Sequence, residues 1–367
     1  MQPETLPESL QGENSPLPQT PKTRETFLDA LRGLALFGIL AVNLEHFAGL
    51  HAYQSTHSGA PGVTLAENLI TFFFSGKFYG LFSLLFGLGL ALQYQSYQRR
   101  GLEPTAILRN RLLVLLAIGF LHGTFLFDGD ILGLYALVGL FCLRYVGIEH
   151  RLWDVAKFLL AGWGVMVLFY WSGIGTGLTY GDYLAPSFLE VSRERLEFWL
   201  PNTLFGAALF GAEFVGLFLL GMWLAPRWQG LAPRTLWRVV AVGLLVGIPV
   251  NWVNLQYSFE PLRGLGGLAF ALVYAALLRL FWERLSLLQT LSWAGRMPLT
   301  NYLTQSLLMS TLFYGYGFAL YGQLHPLWFF PLALLVVAGQ VAFSRWWLSR
   351  RGLGPAEWVW RRLYDRG

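Results

Sequence analysis

The sequence predicts an all-α fold, a polytopic transmembrane helical bundle of about ten spans with both termini in the cytoplasm. Three observations predict it. Of the 367 residues, 13% are charged and 55% hydrophobic; a water-soluble domain carries roughly 25% charged residues, so this chain could not cover its own surface in water. The apolar residues fall in runs close to the ~20 that cross a ~30 Å hydrocarbon core at 1.5 Å per residue. The basic residues gather in short clusters in the gaps between those runs, where they orient helices.

Taken in order, residues 1–25 come first and are a different material. Pro3, Pro7, Pro16, Pro18 and Pro21 stand among Glu, Gln, Ser and Thr. Such a segment buries too little apolar area to offset its ordering entropy and reads as a disordered cytoplasmic tail. It is not a cleaved signal peptide: it is acidic, its apolar stretch starts late, and no small-residue cleavage site follows. Residues 26–367 read as a single transmembrane helical domain. Spans are expected at 27–50, 76–97, 106–127, 131–146, 153–174, 205–225, 237–257, 265–285, 300–320 and 326–348. Between the fifth and sixth, residues 180–201 are polar but carry Phe198 and Trp199, and an amphipathic helix on the outer interface is expected there.

Orientation follows from charge. With the tail inside and the spans alternating, all but Lys77, Arg193, Arg195 and Arg263 of the 26 Lys and Arg residues fall on the cytoplasmic side. One missed or invented span would scramble that segregation. The formal charge of +5 therefore marks topology and implies no nucleic-acid partner; the partner is the lipid bilayer. The single cysteine, Cys142, lies in an apolar run, which excludes an internal disulfide and a cysteine-based metal site.

Polar residues within or beside the spans need a reason, since an ionisable group at mid-bilayer costs about 2.5–3.5 kcal/mol on insertion scales. Asp29 and Arg32 open the first span at i and i+3, so they can pair on one helix face, either as a snorkelling ion pair that fixes helix depth or as part of a site. The outer half of that span carries Asn43, Glu45 and His46, with His51 and His57 beyond. The third span ends in Gly119-Phe120-Leu121-His122-Gly123, followed by Asp128-Gly129-Asp130. A histidine near a carboxylate is the usual acid–base unit, because its proton is held near neutral pH and the carboxylate orients the ring. The bland alternative is a hydrogen bond from His122 to a neighbouring helix. The flanking glycines would let another backbone or a ligand come close.

Glu213 interrupts the sixth span and is expected to face the bundle or a cavity. Lys77, at the outer start of the second, either reaches the headgroups or holds an anionic substrate. Arg296 precedes Pro298-Leu299-Thr300-Asn301 at the start of the ninth span, where a positive helix end suits a phosphate; capping and inside-positive charge are the alternative. There is no phosphate loop and no HExxH zinc motif, and no inverted repeat of the kind that builds transporters.

Phe27-Leu28-Asp29-Ala30-Leu31-Arg32-Gly33, with Asn43 following, resembles the opening of the YeiB-like bacterial membrane proteins. Later signatures agree in order: Gly76-Lys77-Phe78-Tyr79, Arg111-Leu112 through His122, Gly129-Asp130-Ile131-Leu132, and Gly295-Arg296-Met297-Pro298-Leu299-Thr300-Asn301-Tyr302 with Gln305-Ser306. The second half, about 200–367, is similar to the domain of unknown function numbered 418. This resemblance implies the inner membrane of a bacterium. The first span also resembles the LDxxRGxA opening of transmembrane acyltransferases of the heparan glucosaminide N-acetyltransferase type. Those take acetyl from coenzyme A on the cytoplasmic side and deliver it to a sugar amine on the far side, with a histidine in the first outer loop. His46, His51 and His57 occupy that region here without that motif.

Three functions are therefore weighed. The first is an acyltransferase. An acetyl-CoA or other acyl-CoA donor would be met by Arg32, Arg109, Arg111 or Arg296, with Asp29, Asn43 and Asn301 holding the channel. His122 or His46, with Asp130, would act on an extracytoplasmic glycan or lipid acceptor, and Lys77 and Glu213 would bind substrate. The second is a transporter relaying protons through Glu213, Asp130 and His122. The third is a scaffold in which the polar residues only fix helix packing.

Overall fold

The computed structural model describes residues 26–57, 59–148, 152–173, 183–257, 259 and 261–364; the expected tail at 1–25 lies outside them. Every regular element described is helical. The first half holds α1 (Thr26–Phe47), α2 (Leu50–Thr56), α3 (Val63–Phe73), α4 (Lys77–Arg99), α5 (Pro104–Phe125), α6 (Leu132–Cys142) and α7 (Leu152–Ser172). The second half holds α8 (Phe188–Leu224), α9 (Pro233–Tyr257), α10 (Pro261–Leu280), the short α11 (Ser286–Gln289) and α12 (Leu291–Gly295), then α13 (Pro298–Phe313), α14 (Phe329–Leu348) and α15 (Pro355–Tyr364).

Eight helical stretches are long and apolar enough to cross a membrane: α1, α3 with α4, α5, α7, α8, α9, α10, and residues 326–348 including α14. The expectation of ten full spans is corrected here. The fourth and ninth are the shorter α6, 11 residues with a 3-10 turn after it, and α13, 16 residues. Both are cut short by their ends: α6 can start only after the Asp128-Gly129-Asp130 turn, and α13 runs from Pro298 to an extended Tyr314 before Gly315 and Gly317. Both also have an interior reason to be short. Most of α6 is buried, and α13 buries Asn301, Gln305, Ser306 and Ser310. A helix walled in by other helices need not match the bilayer thickness, and it can carry polar groups that lipid would reject.

The separate interfacial helix expected at 180–201 is also corrected. Residues 188–224 form one 37-residue helix through Pro201, about 55 Å long at 1.5 Å per residue. It carries the polar stretch and the sixth span in one rod. Its other described end is capped by Ser187, whose side chain accepts from the Glu190 amide.

Close backbone contacts hold the bundle. A Cβ on Gly295 would lie 1.7 Å from the Asp29 carbonyl oxygen, and one on Gly33 2.2 Å from that of Leu291, so α1 and α12 meet main chain to main chain, as small residues allow in membrane helices. At the same end, Glu357 on α15 reaches the start of α13: its Oε1 accepts from the Leu299 and Thr300 amides at 2.7 and 3.1 Å, and Oε2 from the Thr300 hydroxyl. A carboxylate on free helix amides satisfies donors that have no partner within the helix. The start of α1, α12, the start of α13 and α15 thus gather at one end of the bundle. The end of α1, the turn after α5, Tyr183 and the start of α10 lie toward the other.

Candidate active site

His122 sits in the last turn of α5, fully enclosed. Its Nδ1 stands 2.8 Å from Asp130 Oδ1, and its Nε2 stands 2.8 Å from Ser306 Oγ on α13. Asp130 is fixed in turn: it accepts from the Leu132 and Gly133 amides at 3.1 and 2.8 Å, the free N–H groups that open α6. All of Asp130's partners can donate, so the Nδ1–H of His122 points to the carboxylate and Nε2 is left to accept from the Ser306 hydroxyl. A nucleophile, a base on it, and a carboxylate orienting the base is the arrangement that activates a hydroxyl. The glycines beside His122 serve this packing. A Cβ on Gly119 would lie 2.5 Å from the Gly133 amide nitrogen, and one on Gly123 2.3 Å from the Trp199 ring. What they admit is the α6 backbone and a tryptophan.

Two cavities approach this unit. One, of about 350 Å³, opens at the α15 end and is lined by Arg32, Arg111, Arg296 and Arg361 with Gln93 and Tyr364. Arg32 donates to Asp29 at 2.7 Å, and the half-buried Arg111 lies over the Trp360 ring at 4.1 Å, while the Trp360 indole donates to the Arg111 carbonyl. The inner wall of this cavity includes Tyr302, whose ring lies 4.8 Å from that of His122. The second cavity, of about 300 Å³, is lined by Asp128, Asp130, Trp199, Thr203, Glu213 and Arg263. Tyr79 donates to Glu213 there at 3.2 Å. Ile131 lines both cavities, so the partition is about one side chain thick.

His46 belongs to a different cluster from His122. Its Nε2 lies 3.2 Å from Asp128 Oδ1 and 2.5 Å from the Tyr183 hydroxyl, which donates to Asp128 Oδ2 at 2.8 Å. Phe127 stands between the two imidazoles. Burial alone would raise the Asp128 carboxyl, but the hydrogen bond and charge of His46, with Arg195 and Tyr183, outweigh it and hold Asp128 below its ordinary value. The other first-loop histidines do not join either unit: His51 meets Gln54 and His57 stacks on Tyr53.

Of the expected donor-site residues, Arg32, Arg111 and Arg296 share the first cavity, with Asp29 bonded to Arg32. Arg109 is exposed and lies off it. Asn43 is eleven residues along α1 from Arg32, about 16 Å, and lines neither cavity. Asn301 is a packing cross-link, donating to the Ala294 carbonyl and to Ser344. Of the expected substrate residues, Glu213 lines the second cavity. Lys77 does not reach headgroups: it is 0% exposed and donates to the Thr71 carbonyl and Asn251 Oδ1 at 2.8 and 2.6 Å. Among the described residues no group of three or more His, Cys, Asp and Glu could hold a metal. Ser306 and Arg361 were not singled out from sequence; Ser306 lies in the Gln305-Ser306 signature, but only its meeting with His122 gives it a role.

The model described as "Protein of unknown function (DUF418)" matches residues 227–366. YeiB of Escherichia coli (strain K12), described as uncharacterized, is 30% identical over 387 residues, spanning 93% of this chain and 96% of its own length. The chain belongs to the DUF418 family. This DUF418 protein is also 28% identical to the uncharacterized YxaH of Bacillus subtilis (strain 168), over 91% of its length and 92% of the relative's. A 39.9 kDa protein from the amylase 3' region of Bacillus acidopullulyticus, also uncharacterized, is 30% identical over 92% and 93%. No solved structure matches it.

Proposed function

We propose that this multi-span membrane protein is an acyltransferase. It would move an acyl group from a coenzyme A-type donor in the arginine cavity to a hydroxyl or amine acceptor that enters the second cavity. The observation that carries this reading is His122 holding Asp130 on one ring nitrogen and Ser306 on the other, between two cavities that nearly meet. In the first half of the reaction His122 takes the Ser306 proton as Oγ attacks the thioester carbonyl, the C–S bond breaks, and the proton passes to the leaving thiolate. In the second, the acceptor gives its proton to His122 while attacking the acyl-serine, and the Ser306 hydroxyl re-forms. The four arginines suit the donor's phosphates, as guanidinium forks match phosphate oxygens. By the positive-inside rule the arginine end, with both termini, faces the cytoplasm and the acceptor side faces outward.

Acetyl-CoA binding by the purified protein tests the donor half. Saturable binding in wild type, lost in Arg32→Ala and kept in His122→Ala, is expected. Absence of binding by well-folded wild type would contradict acetyl transfer and favour a second reading, a solute transporter. Glu213 in the second cavity, buried beside Tyr79 and Arg263, is the observation that favours that alternative.

A further inference from the structure

Arg195 lies eight residues into α8 and is 2% exposed. Lys77, the other buried cation among the described residues, has Asn251 and a carbonyl, but Nε, Nη1 and Nη2 of Arg195 have no hydrogen-bond partner. Its guanidinium face lies over the Tyr314 ring at 5.0 Å, which leaves the N–H groups at the edge unused. Asp128 is close enough to feel its charge, yet both Asp128 oxygens are taken by His46 and Tyr183. A buried guanidinium with no acceptor is costly, and natural structures rarely leave one so.

The neighbours are of the same kind. Ser192 lies one turn away on the same face of α8, and its buried hydroxyl has no partner. Neither do the hydroxyls of Tyr314 and Tyr316, whose rings meet edge to face at 5.9 Å. One further turn along, Trp199 presents an indole N–H without a partner and walls the second cavity beside Asp130. Polar groups have been gathered here from two parts of the chain, and neither the guanidinium nor these hydroxyls have a hydrogen-bond partner.

We propose that Arg195, with Ser192, Tyr314 and Tyr316, which lie beyond Trp199 from the second cavity and do not line it, binds an anionic oxygen group, a phosphate or carboxylate, carried by a molecule whose remainder reaches that cavity past Trp199. Planar bidentate pairing with such groups is what a guanidinium edge does best. Naming that molecule the acyl acceptor rests on the acyl-transfer reading; the anion site does not. An acceptor so held would be a phosphorylated or acidic lipid or glycan, anchored by its charge about a turn from Trp199 and the His122–Asp130 unit.

The test is thermal unfolding of the full-length protein in nanodiscs, titrated first with inorganic phosphate in zwitterionic lipid, then with phosphatidylglycerol replacing part of that lipid. No acyl donor is present, so the result does not depend on catalysis. The expected result is an anion-dependent rise in melting temperature whose half-saturation weakens at least about tenfold in Arg195→Gln and moves in the same direction in Tyr316→Phe, which keeps the charge. Arg234→Gln, at an exposed arginine of α9 that lines neither cavity, leaves this response intact. A response to phosphate assigns a free oxyanion; a response to phosphatidylglycerol alone assigns a lipid headgroup. Responses equal in wild type and Arg195→Gln, or none to either anion in wild type, would overturn the proposal and leave water as the partner of these donors.

Discussion

Ser306 shows why the chemistry was only partly legible at the scale of single residues. A serine in an apolar helix ordinarily bonds the carbonyl one turn back, and Ser306 has that contact too, to Tyr302 at 3.5 Å. Nothing in its own segment distinguishes the ordinary role from a nucleophile's; the sequence separation of 184 from His122 hides the pair from any local reading. His122 and Asp130 were readable because they are eight residues apart and of a type that lipid penalises. Arg195 stood out only as a cation on the wrong side, and its missing acceptors appear only in three dimensions. Residues that act as one unit lose function together. Ser306→Ala and His122→Ala are each expected to lower single-turnover acyl transfer by about a thousandfold or more, and the double variant no further. Rates measured on the three variants check this, and a multiplicative loss in the double variant would count against a shared unit.

At the scale of elements, composition located the long apolar helices well and misjudged those whose length is set by neighbours. α6 and α13 were extended to full spans because their apolar runs continue past Cys142 and Phe313, while the structure ends them where packing does. The polar residues 180–201 read as a break before the sixth span; inside the fold Trp199 packs that part of α8 on Gly123 and Gly133. The contact between α15 and α13 was invisible, since Glu357 looks like any surface carboxylate. Burial raises the Glu357 carboxyl above its ordinary 4.5, against the opposing pull of its bonds to Thr300 and Leu299. The folded state therefore keeps this proton to higher pH than the unfolded chain. Its contribution is full below the unfolded value and is lost as pH rises through the folded one. Glu357→Gln, which keeps an acceptor without the charge, is expected to flatten the fall in melting temperature as pH rises above the ordinary carboxyl value. Thermal unfolding across pH, wild type beside variant, measures it; identical slopes would mean that Glu357 is not the group responsible.

For the whole molecule, charge gave an expected orientation, and what the structure adds is that Arg32, Arg111, Arg296 and Arg361 come together around one cavity at the α15 end. What charge alone could not supply is that this end closes around a cavity and that the cavity stops one side chain from another. The positive-inside reading predicts that green fluorescent protein fused after α15 fluoresces and alkaline phosphatase there is inactive, with the reverse for insertions in the turn before α3. The opposite pattern would invert the proposed direction of transfer.

The central claim is that Ser306 carries the acyl group between the two cavities. The direct measurement is mass spectrometry of the intact protein and its peptides after a brief reaction with isotopically labelled acetyl-CoA and no acceptor. The account predicts a labelled acetyl ester on the peptide containing Ser306, absent in Ser306→Ala and in His122→Ala. Label that remains on the protein in Ser306→Ala, or acceptor acetylation that proceeds at the wild-type rate without Ser306, would contradict it.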